Sequence, residues 1–169
     1  MSITVHQRPG VYSSYDASSV VSGSGSGRLV GLVAVNTQSE AGVPQTITSY
    51  DKAVTAFGST GDEDMAELIR LALKNGASGV VAVPIASEDG YQAAFDTLAE
   101  VEDLAVVICD STDQTVQQKL RDSVVQASQT RRERLAVVAG GNAEEVEALI
   151  ARAKELNSER VVLVAPGAV

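Results

Sequence analysis

The residues best suited to chemistry sit where apolar runs end. Cys109-Asp110 closes the run Leu104 to Cys109, and a thiol at a strand end can act as a nucleophile. Activation requires a neighbouring base or a positive field. The only histidine, His6, lies far away near the amino terminus, and the charge of Asp110 opposes a thiolate beside it. Cys109 therefore reads as a small core cysteine. The same shortage removes a Ser-His-Asp triad, which needs an imidazole held between hydroxyl and carboxylate; His6 could serve only by folding back onto the rest of the chain. Carboxylates cluster at Asp62-Glu63-Asp64 and at Asp110 with Asp113. The first group heads a helical pattern, where acids suit the positive end of the dipole. The second could hold a hydrated Mg²⁺, since such ions need only one or two carboxylates. Its spacing matches no acidic metal loop and reads as a solvated β–α turn.

The glycines are equally uncommitted. Ser22 to Gly27 reads SGSGSG and precedes a strand, whereas a dinucleotide fingerprint follows one and opens a helix. It also lacks the Lys-Ser/Thr of a phosphate loop. Gly140-Gly141-Asn142 does stand between strand and helix, but Glu144, Glu145 and Glu147 crowd that helix start and repel an anion. The expected structure there is a tight turn with Asn142 as cap. No cofactor and no metal are expected.

The elements that position these residues follow from hydrophobic period. Leu29 to Val35, Val80 to Ile85, Leu104 to Cys109, Leu135 to Ala139 and Val161 to Val164 are short, nearly continuous apolar runs. Such runs predict strands covered on both faces, as in a parallel sheet. Helical stripes lie between them: Met65, Leu68, Ile69 and Ala72; Tyr91, Ala94, Phe95 and Leu98; Val116, Leu120, Val124 and Ala127; and Val146, Leu149, Ile150 and Ala153. Thr112 or Asp113 is the expected cap of the third, and Asn75-Gly76 the expected end of the first. A shorter helix, Asp51 to Phe57, should stop at Gly58. The alternation predicts an α/β fold, a doubly wound and mainly parallel sheet flanked by helices, with right-handed crossovers. Strand order is not written in this pattern.

Composition narrows the classes of function. A formal net charge of −9 over 169 residues opposes nucleic-acid binding, which needs clustered cations. Arg131, Arg132 and Arg134 form one interrupted basic cluster, expected to close a helix. No apolar run approaches the ~20 residues of a membrane span, and the first residues lack a signal-peptide pattern. One cysteine permits no internal disulfide. These features describe a soluble chain made in the cytoplasm, with no nucleic-acid or membrane partner.

The amino-terminal stretch stands apart. Ile3 and Val5 alternate with polar neighbours, Pro9-Gly10 interrupts, and Val11-Tyr12 resume. Three parts are expected: an extended arm over residues 1–21, a flexible Gly/Ser linker over 22–28 carrying Gly23, Gly25 and Gly27, and an α/β domain over 29–169. An apolar strand on a loose tether must pair with a sheet edge elsewhere to satisfy its backbone. The closing VVLVAPGAV ends on a turn signal, so the domain is expected to be truncated at its carboxyl end.

Arg8-Pro9-Gly10-Val11-Tyr12 ahead of an α/β domain resembles the amino-terminal part of contractile phage tail sheath proteins. Gly31 to Val35, Ser49-Tyr50 with the helix ending Phe57-Gly58, and the closing RVVLVAPG agree with it. The resemblance implies a subtilisin-like sheath domain without protease activity, found in the virion. It implies that Ile3, Val5, Arg8, Pro9, Gly10, Val11 and Tyr12 pair with neighbouring copies, linking hexameric rings around an inner tail tube protein. The competing reading from the residues is a small α/β enzyme or ligand-binding domain using the strand ends near Cys109 and Asp110.

Overall fold

The computed structural model describes residues 29–59, 64–141 and 144–165. The expected arm and linker, with their named residues, lie outside the described residues, as do Asp62, Glu63 and Asn142. Strand β1 is Leu29–Val35, β2 Gln45–Ile47, β3 Gly79–Ile85, β4 Leu104–Cys109, β5 Leu135–Ala139 and β6 Val161–Val164. The helices are α1 Tyr50–Phe57, α2 Met65–Lys74, α3 Tyr91–Ala99, α4 Gln114–Gln129 and α5 Val146–Leu156.

Local chemistry sets most boundaries. Asp64 begins α2 by accepting the Glu67 N–H at 2.8 Å, and Gly76, at φ +96°, ends it. Asp113, rather than Thr112, caps α4, accepting from Thr115 N at 2.7 Å and Val116 N at 3.2 Å. Gly58 ends α1 at φ +71°, a left-handed conformation that favours glycine, while the Gln38 amide that a Cβ would meet sits at the end of a flexible side chain.

The sheet order is β2-β3-β1-β4-β5-β6. Every pairing is parallel except β2 with β3, which is antiparallel. Numbered alone, the parallel strands run 2-1-3-4-5, the flavodoxin-like winding. From β1 the chain moves toward the β2 edge through α1 and α2. It then crosses back and continues through α3, α4 and α5. Right-handed crossovers therefore place α1 and α2 on one face and α3, α4 and α5 on the other. The cores follow suit. Phe57, Met65, Ala66 and Ile69 pack with Leu32, Val80 and Ala82. Tyr91, Phe95, Leu98, Leu120 and Val124 pack with Val33, Val83, Val107 and Val138.

Three expectations need correction. Coverage on both faces holds for β3, buried along its length, but β5 and β6 alternate between packed and open residues. The α5 stripe does not face the core as a unit, because Val146, Ile150 and Ala153 are exposed and Leu149 is half-buried. Helix α5 starts at Val146 with Glu145 as N-cap, so Asn142 stands too far upstream to cap it.

Candidate functional site

In an open α/β sheet the place for a ligand is the carboxyl end of the strands where the winding reverses. Here that is the gap between β1 and β4. A cleft of about 600 Å³ opens there, bordered by Val35, Tyr91, Asp110, Thr112, Asp113 and Arg152 among others.

Asp110 is the hub of this cleft. Its Oδ2 accepts the Val35 N–H at 2.9 Å, and its Oδ1 accepts the Tyr91 Oη–H at 2.5 Å. Its own N–H donates to the Val33 carbonyl at 3.2 Å. One carboxylate thus fastens the end of β4 to the end of β1 and to the first turn of α3. Burial first, and then the Asp110 hydrogen bond, push the Tyr91 hydroxyl far above its ordinary pKa, so it stays neutral.

A second network closes the other side. Arg152 of α5 donates to the Thr112 carbonyl at 2.9 Å, to Gln117 Oε1 at 3.1 Å and to Glu144 Oε1 at 3.0 Å. Gln117 is fully buried, and its amide donates to the Ala139 carbonyl at 2.8 Å. Glu144 Oε2 accepts the Gly141 N–H at 2.8 Å. That backbone N–H is the one a phosphate would use at a glycine turn, and a protein carboxylate already occupies it. The Gly141 hydrogen bond and then the Arg152 pair hold Glu144 below the usual carboxylate range.

The geometry does not activate the remaining candidates. Burial pushes the Cys109 thiol up to about 11, with a smaller upward push from Asp110, and its Sγ–H points at the Ser111 carbonyl 3.7 Å away. A protonated thiol is a poor nucleophile at neutral pH. The Asp113 carboxylate is committed to the α4 N–H groups, which lower its pKa. Among the described residues, no three His, Cys, Asp or Glu side chains converge to hold a metal ion. Nor, among them, is any helix long and apolar enough to cross a membrane.

The basic cluster closes a helix, as expected, and the helix it closes is not the one that precedes it. Helix α4 stops at Gln129, before the arginines. Arg134, only 4% exposed, donates to the carbonyls of Leu98 at 2.7 Å and Val101 at 2.9 Å; Arg132 donates to that of Ala99 at 2.9 Å. Two cations thus close the carboxyl end of α3, where unpaired carbonyls and the negative dipole end converge. The sequence did not say which helix, because the recipient turn lies some 33 to 36 residues away along the chain.

This architecture defines a class: an open, doubly wound α/β domain whose strand-end polar groups are bonded to one another. No family model and no curated protein matches the chain in sequence. Among solved structures it is similar to a chain of the helical sheath of the anti-feeding prophage in its contracted state. That match has a TM-score of 0.58 at 22% identity, covering 94% of this chain and 45% of that one. It is also similar to a chain of the six-fold symmetrised baseplate of the same prophage, with a TM-score of 0.51 at 20% identity, covering 94% and 46% respectively. The likeness establishes a shared fold, and the chain spans less than half the length of either neighbour.

Proposed function

We propose that the chain is a structural subunit of a contractile phage tail sheath or related injection machine, without catalytic activity. Its partners are copies of itself, arranged in rings, and an inner tube protein. Residues 1–21 act as the connecting arm, with Ile3, Val5, Arg8, Pro9, Gly10, Val11 and Tyr12 in contact with a neighbour and Gly23, Gly25 and Gly27 giving slack. The observation that carries this reading is the shared fold with the contracted sheath over nearly the whole chain. The strand-end wiring supports it too, because polar groups that hold the domain together are not poised to turn over a substrate. Strand addition at a sheet edge suits an arm of this kind, since backbone hydrogen bonds supply affinity and alternate side chains supply register.

The test is immunogold labelling of purified contractile particles with antibody raised against residues 29–165. Label along the sleeve is expected; label absent from the sleeve refutes the assignment. Deleting residues 2–21 should leave a folded domain that no longer enters the sleeve. A second reading, a small-molecule binding domain, draws on the position of the cleft at the winding reversal. Substitution at Asp110 separates the two.

A further inference from the structure

The ladders of this sheet are unequal. Strand β1 is in register with β3 from Leu29 with Gly79 to Val35 with Ile85, and with β4 from Val30 with Val106 to Val33 with Cys109. Strand β5 is in register with β6 from Ala136 with Val161 to Ala139 with Val164. Between these two blocks, β4 and β5 pair only through Val106 with Leu135 and Val107 with Ala136. The shortest ladder thus lies in the interior of the sheet. Packing thins along the same line. The core under α1 and α2 reaches Ile108 of β4 but takes no residue from β5 or β6. Strand β3 is buried along its length, whereas among the described residues from β5 to β6 only Ala136, Val138 and Leu156 are apolar and buried. Sparse buried contacts and short pairing mark the low-stability part of a fold.

Beyond the seam the parts hold one another. The Ala136 N–H donates to the Arg160 carbonyl at 2.8 Å and the Gly140 N–H to the Val164 carbonyl at 3.0 Å, while Leu149 of α5 lies against Gly140. Helix α4 packs mainly on α3 and so belongs with the centre of the domain. Long polar side chains bridge the two blocks. Arg121 of α4 donates to the Glu155 carbonyl near the end of α5 at 2.9 Å, Arg152 of α5 reaches back to the Thr112 carbonyl, and Arg134 at the foot of β5 reaches the end of α3. Hydrogen bonds weaken steeply with misalignment, so a modest displacement of the flank breaks these links together.

We propose that β5, α5 and β6 open across this seam as one unit while strands β1 to β4 and helices α1 to α4 stay folded. The opening takes less free energy than unfolding of the whole domain. Strand β1, which residues 1–28 precede, lies in the block that stays folded, so the far edge moves without loosening that junction. A sleeve subunit whose neighbours shift has a use for such a movable edge, but the inference concerns the isolated chain and does not rest on the assembly reading.

The experiment is native-state hydrogen exchange of the full chain, read by NMR in urea below the unfolding transition. Amides of Ala136, Gly140 and the middle of α5 should exchange faster than the slowest amides of β1 and β3, share one opening free energy, and show a shallower urea slope. Two variants separate a unit from a whole domain. Ile69→Val thins the core under α1 and α2, far from the seam, and should speed exchange in β1 and β3 about fivefold while leaving the flank unchanged. Arg121→Met removes a link lost in both kinds of opening, so flank and centre should both exchange about tenfold faster. Flank amides that share the urea slope of β1, or that speed up with Ile69→Val, show a domain that opens only as a whole and overturn the proposal. A β5 as slow as β1 beside a fast α5 shows fraying of the helix alone and overturns it equally.

Discussion

Asp110 separates a structural strand end from a working site, and its energetics follow from its bonds. The carboxylate receives the Tyr91 hydroxyl at 2.5 Å and the Val35 N–H at 2.9 Å. Hydrogen bonds to charged groups net about 1.5–3 kcal/mol each. Asp110 itself is exposed, so in Tyr91→Phe water takes over the vacated oxygen and the loss falls at the low end, about 1.5 kcal/mol. Asp110→Ala removes both bonds and leaves the Tyr91 hydroxyl, on a residue only 2% exposed, short of its acceptor. Val35 is 41% exposed, so its N–H recovers water. The expected loss is about 2 kcal/mol. The double variant should cost less than the sum, with a coupling of about 1–1.5 kcal/mol.

Urea denaturation followed by circular dichroism measures these values, with the midpoint shifting and the slope unchanged. In a melting experiment each kcal/mol corresponds to about 2–4 °C for a domain of this size class. Both single variants lying within about 0.3 kcal/mol of wild type, with strict additivity, would refute the wiring argument. Asp110→Ala that leaves stability untouched yet erases a small-molecule thermal shift seen in wild type would establish the cleft as a functional site.

Three other outcomes follow from the same structure. Arg134→Met should cost about 3 kcal/mol in urea denaturation, because carbonyls of Leu98 and Val101 lose a charged donor; hydrogen exchange should speed up locally at the end of α3, and Arg134→Lys should recover part of the loss. The folded-state pKa of Glu144 lies below its unfolded value, so its contribution is present above about pH 4.3 and vanishes as pH falls through the folded value. Melting temperature should therefore drop less between pH 5 and pH 3, about the range of carboxylate titration, in Glu144→Gln than in wild type. Cys109, with its thiol pushed up to about 11, should alkylate slowly at neutral pH, its rate climbing roughly tenfold per pH unit into the alkaline range. Cys109→Ala should lower stability by only about 1 kcal/mol.

The strands were legible because each is a short aliphatic run between turn residues; the predicted limits of β1, β4, β5 and β6 coincide with those observed. Strand β2 was not, since three residues, Gln45–Ile47, carry no period, and only its pairing with β3 makes it a strand. Strand order was illegible for a related reason: it depends on which side each crossover takes, and a helical stripe reads alike on either face. Helix α5 shows the limit most plainly. Its sequence marks Val146, Leu149, Ile150 and Ala153 as one apolar stripe, but a stripe does not say whether its partner belongs to the same chain. The cleft was partly legible, in that Asp110 and Asp113 stood out. The acceptor role of Asp110 toward Tyr91 and Val35 spans 19 and 75 residues, beyond any local pattern.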